Sequence, residues 1–129
     1  MPGLTTSGLN ALIEGDGWHY VGGTDEPAFA NSWNNVGGTS TAMSFRLRAG
    51  GEVNLAGVVT SGTPGAVIFT LPEGFRPSTD VFMPTTGSIS GTMSGGLVRV
   101  EPDGNVYGLR SGANHDSIYI LGTFWLVFA

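Results

Sequence analysis

Two polar stretches hold the side chains best suited to chemistry. Asn31-Ser32-Trp33-Asn34-Asn35 sets three amides around an indole, and Arg110 precedes Asn114-His115-Asp116. Aromatic faces stack on sugar rings, while short amides and carboxylates hydrogen-bond to hydroxyls. Asn31, Trp33, Asn34, Asn35, Arg110, Asn114, His115 and Asp116 therefore form the candidate ligand-binding set. Each also has a plainer reading. A Trp that follows Pro27 and Phe29 more often plugs a core or interface, and Asn34-Asn35 suits an ordinary turn because Asn tolerates left-handed backbone. Trp18 and Trp125 lean further toward packing.

Catalytic signatures are sparse. His19 and His115 have acids nearby but no ligand spacing, so no metal and no cofactor is assigned. Asp25-Glu26, or Asp80 with Glu73, are the carboxylates a glycosidase would draw on, yet nothing in the sequence sets either pair across a groove. There is no Gly-x-Ser-x-Gly elbow, His-Glu-x-x-His, cysteine nucleophile or phosphate loop. The expectation is a protein that assembles and binds and is not an enzyme.

The elements that must position these residues follow from composition and period. A chain of 129 residues is the size of one domain. With no cysteine, its fold rests on apolar burial and hydrogen bonds alone. All the basic residues are arginine, and the net charge of −5 leaves nothing to neutralise a run of phosphates, so nucleic acid is excluded as a partner. The longest apolar stretch, Ile118 to Ala129, is about half of what a bilayer-spanning helix needs, and no signal peptide precedes it. Apolar residues at 40%, laid out in short runs between glycine-rich breaks, give many strands and tight turns.

Leu4–Ile13 is the one expected helix, or else an extended arm. Its Leu4, Leu9, Leu12 and Ile13 offer an apolar face for attachment, since so short a helix is marginal unless docked. Residues 1–16 are thus assigned as an attachment segment and 17–129 as the β domain. From Gly17 the period becomes two. Strands are expected at Gly17–Val21, Met43–Ala49, Val53–Thr60, Ala66–Leu71, Asp80–Met83, Leu97–Glu101, Val106–Leu109 and Ile118–Phe128. The interval Thr85–Gly96 offers only an irregular strand around Ile89. Glu101-Pro102-Asp103-Gly104-Asn105 is a hairpin signal, because Pro presets the first turn position and Gly takes the left-handed one. The fold class is all-β, an antiparallel β-sandwich of jelly-roll or Greek-key type.

The last strand sets the assembly. Ile118, Ile120, Phe124 and Leu126 share one face, and Tyr119, Leu121, Trp125 and Val127 the other, so both faces are apolar. A sandwich covers only one of them. Tyr119, Leu121, Trp125 and Val127 are therefore assigned to a homo-oligomer interface, unless Leu4–Ile13 covers them within one chain.

Several blocks recur in a familiar order. They are Trp18 to Val21, Glu26-Pro27-Ala28-Phe29-Ala30-Asn31-Ser32-Trp33, Phe45-Arg46, Gly51-Glu52-Val53-Asn54-Leu55-Ala56-Gly57, Ile68-Phe69-Thr70-Leu71-Pro72-Glu73-Gly74-Phe75-Arg76-Pro77 and Asp103-Gly104-Asn105-Val106. In these the chain resembles the C-terminal tip domain of phage tail-fibre and minor tail proteins, with Leu-Pro-x-Gly-Phe-Arg-Pro the most distinctive element. The resemblance implies a trimeric β-sandwich on the virion surface, held to other virion proteins and touching a host cell-surface polysaccharide. Such domains follow a long shaft, whereas here only some sixteen residues precede the first strand. A decoration protein of the capsid or tail is the alternative it leaves, and a glycan hydrolase the third.

Overall fold

The computed structural model describes residues 17–63, 65–89, 92–109 and 117–126. Among them the protein is all-β and antiparallel. Its nine strands are β1 (His19–Tyr20), β2 (Asn34–Asn35), β3 (Ser44–Arg48), β4 (Glu52–Thr60), β5 (Val67–Thr70), β6 (Val81–Ile89), β7 (Thr92–Val100), β8 (Asn105–Leu109) and β9 (Ser117–Trp125). The expected helix over Leu4–Ile13, with its attachment residues Leu4, Leu9, Leu12 and Ile13, lies outside the described residues. No described helix is long and apolar enough to cross a membrane.

All the strands join one sheet in the order β1-β3-β4-β9-β6-β7-β8-β5, with β2 added against β4. The sheet curls into a half-barrel until its ends meet over a common core. Phe45 of β3 stacks on Phe69 of β5 with ring centroids 5.9 Å apart, and the Ala30 N–H donates to the Ile68 carbonyl at 2.8 Å. The concave face is apolar by strict alternation. Val53, Leu55, Gly57 and Val59 of β4 are buried, as are Ile118, Ile120 and Phe124 of β9. Phe45, Leu47, Met83, Val98, Val100 and Val106 complete it.

Three local features depart from simple alternation. Val67, Ile68 and Phe69 put apolar residues on both sides of β5, and a register shift between Val67 and Phe69 lets Ile68 and Phe69 both become fully buried. The interval Thr85–Gly96 is not an irregular strand around Ile89. β6 and β7 run through it in register from Val81↔Val100 to Ile89↔Thr92, because the small Thr, Ser and Gly side chains leave the ladder uninterrupted. Asn34 and Asn35, expected in a turn, instead pair with Thr60 and Val59 of β4 as a short edge strand.

The hairpin signal at Glu101–Asn105 appears where expected. Gly104 adopts φ +93°, its N–H donates to the Glu101 carbonyl at 2.8 Å, and Glu101 N–H donates to Asn105 at 3.0 Å. Between β3 and β4, Gly50 and Gly51 both take positive φ, and Gly51 N–H reaches Arg48 O at 3.1 Å.

Candidate functional site

The Asn31 block builds structure first. Trp33 is only 3% exposed, and its indole lies over Gly62 where a β-carbon would collide with the ring. It belongs to the core, and a ring buried to this degree offers no open face to a sugar. Asn31 adopts φ +54° and its Nδ2 donates to the Val67 carbonyl at 2.9 Å. Asn35 Oδ1 accepts from the Met43 N–H at 2.7 Å. These amides tie the loop to β5 and to the start of β3, and of the block Asn31, Ser32 and Asn34 are exposed. Arg110, Asn114, His115, Asp116 and Val127 lie outside the described residues.

His19 and the acids resolve into separate pairs. His19 Nδ1 meets Glu26 Oε2 at 2.9 Å while its ring stacks on Phe45 at 5.1 Å, so it braces the 21–30 loop against the core. Asp80 pairs with Arg99 at 3.3 Å, and Arg99 also holds Glu101 at 2.7 Å. Among the described residues no three His, Asp or Glu side chains gather as a metal site would require.

What the fold does bring together is a set of aromatic and polar residues on the convex face of β1-β3-β4-β9. Since His19 pairs with Phe45 and points inward, Trp18 and Tyr20 on either side of it point outward. Trp18 is 37% exposed, Tyr20 54% and Trp125 60%. The alternation of β1 and β9 turns Trp18 and Trp125 outward, the side on which Trp125 was expected with Tyr119 and Leu121.

Between these rings runs a polar relay. Register aligns Arg46 with Asn54, Asn54 with Thr123, Arg48 with Glu52 and Glu52 with Trp125. Arg46 lies over the Trp18 ring, 4.4 Å from its centroid, and its Nε donates to Asn54 Oδ1 at 2.8 Å. Asn54 is 8% exposed, and its Nδ2 donates to Glu52 Oε1 at 2.7 Å. Arg48 meets the same Glu52 oxygen at 3.8 Å. Burial of Asn54 with both ends of its amide engaged fixes Arg46 in one orientation. Trp125 is held differently, its ring edge against Gly50 of the β3–β4 turn, where a β-carbon would stand 3.9 Å away. From strand spacing of ~4.8 Å and a rise of ~3.4 Å per residue, Arg46 and Trp125 lie about 12 Å apart, the reach of a short oligosaccharide.

Beside this polar half lies an apolar half. Tyr119 is 39% exposed and Leu121 81%, with Ala56 and Val58 of β4 alongside them. β9 pairs with β6 only from Ser117 to Tyr119, and the ladder stops at Thr86, two residues short of Pro84, which has no N–H to donate. The strands part there, and a groove of 380 Å³ opens, lined by Val58, Pro84, Thr85, Tyr119 and Leu121.

Sequence reasoning named Tyr119, Leu121 and Trp125, but it did not join Trp18, Tyr20, Arg46 and Asn54 to them. Their two-residue period in β1, β3 and β4 was the available signal; which strand lies beside β9 was not. Comparison with protein-family models, with curated proteins and with solved structures finds no match, so the site is read from its own geometry.

Proposed function

We propose that this chain is a phage tail-fibre tip domain, a homo-oligomeric virion-surface module that holds a host-surface glycan on the convex face of β1-β3-β4-β9, without catalysis. The observation that carries the reading is the exposure of Trp18, Tyr20 and Trp125 around the fixed Arg46–Asn54–Glu52 relay. Exposed rings stack on the apolar faces of sugars, and pre-oriented polar groups read hydroxyls at low entropic cost.

The curled sheet is read as a sandwich of Greek-key type. In support, β6, β7 and β8 follow one another, while β5 lies beside β8 and connects back to β6. That connection is the Leu71–Pro77 element on which the tail-fibre resemblance rests. Within it Arg76 Nε donates to Leu71 O at 2.8 Å and Phe75 meets Phe45 edge-on at 5.0 Å. The apolar half of the face, Tyr119 and Leu121 with the groove at Pro84, takes a second copy, trimeric by the resemblance.

The test is a glycan array probed with the native chain and with Trp125→Ala. Retention on host-type polysaccharide that falls at least tenfold in the variant supports the reading; native protein that holds no glycan overturns it. The second reading, a decoration protein with a purely structural role, is favoured by Leu121, whose 81% exposure suits protein contact better than sugar. Under it, deletion of Leu4–Ile13 abolishes particle attachment and leaves the β domain folded.

A further inference from the structure

Given the glycan-binding reading, we infer that the ligand is acidic: a glycan bearing carboxylate or phosphate groups, met by Arg46. The two arginine clusters of the convex surface differ in a way that points there. Arg99 lies between Phe82 at 6.0 Å and Tyr107 at 5.8 Å, but Asp80 and Glu101 both hold its guanidinium, so its charge is more than matched. Arg46 has the same aromatic support and no carboxylate. Its partners among the described residues are the neutral Asn54 amide and the Trp18 ring. Among the described residues no acid stands within ion-pair distance of it.

Nε is the atom engaged, which leaves the two Nη groups of Arg46 without a hydrogen-bond partner among the described residues. Those are the donors that grip a carboxylate or phosphate in a fork. The local charge agrees. Among the described residues of β3, β4 and β9 this face carries Arg46 and Arg48 against Glu52, an excess of one positive charge in a chain whose net charge is −5. At physiological salt the screening length is about 8 Å, so an anionic group seated at Arg46 feels this excess more than the distant acids. Asn54 and Trp18 hold the guanidinium before the ligand arrives, and Trp125, about 12 Å away by the strand spacing, is within reach of the next sugar rings.

The experiment uses the full chain on an array that displays neutral oligosaccharides beside uronate-, sialate- and phosphate-bearing ones. Retention is expected on acidic members, weakening as NaCl rises from about 0.05 to about 0.5 M. Arg46→Gln should lower acidic retention about tenfold or more while neutral retention stays level. Arg46→Lys, which keeps the charge and loses the fork, should recover only part of it, and its thermal midpoint checks that the sheet is intact. Which acidic members are retained separates carboxylate from phosphate. Native protein that binds neutral glycans as well as acidic ones, or an acidic preference that survives Arg46→Gln, overturns the inference and leaves glycan binding standing. No retention on any member removes both.

Discussion

Phe45 and Phe69 stack at 5.9 Å and 21° although their strands stand near opposite ends of the sheet. Both are fully buried, so the contact closes the half-barrel from inside. Truncating either ring to Ala should cost about 3–5 kcal/mol, the usual loss for a buried aromatic. Denaturant unfolding measures it. The double variant should cost less than the sum of the two singles, because the rings touch each other.

Gly104 joins the turn before β8 to the Leu71–Pro77 connection. A β-carbon there would strike the Leu71 carbonyl oxygen and come within 2.7 Å of Arg76 Nε, and the backbone already sits at φ +93°. Gly104→Ala should therefore destabilise by about 2 kcal/mol or more. Gly95, with open space around its Cα and no positive φ, should accept Ala with a change of about 0.5 kcal/mol or less. Paired thermal melts compare the two.

Leu121 is the most exposed of the large apolar residues described. Leu121→Arg should leave the folded chain as stable as before, since no core contact is removed, and should convert an oligomer to monomer in sedimentation equilibrium. A native chain that already sediments as a monomer at micromolar concentration removes the interface.

Tyr107 has its pKa raised, chiefly by its hydrogen bond to Glu101 and further by burial and by that carboxylate's charge. A raised folded pKa means that the folded state keeps the phenol proton where the unfolded state has lost it. The stabilisation is complete below the ordinary tyrosine value of about 10 and is lost as pH climbs through the folded value. Tyr107→Phe should remove that alkaline decline from the pH–stability curve, and in an absorbance titration it should remove a phase lying above the ordinary range.

The strand pattern was legible because side chains alternate with a period of two. Val53, Leu55 and Val59 announce an inner face, and Asp103-Gly104 announces a turn through its own backbone preferences. Thr85–Gly96 was not legible, because small polar residues carry no period and β6–β7 pairing arises from neighbours on the sheet. Between the two readings of Trp33, core plug and ligand platform, the local pattern did not decide for a related reason. Burial depends on what packs above a residue, here Gly62, nearly thirty positions away.

By itself the sequence determined that the chain forms antiparallel strands, where most of them turn, and which residues of β9 face outward. Those are local properties, set by φ/ψ preferences and by alternation within a few residues. Only the tertiary structure decided that β4 lies between β3 and β9, and so that Arg46, Asn54 and Trp125 share a face with Trp18. Strand order depends on contacts between residues far apart in the chain, and no local pattern encodes which strand will be the neighbour.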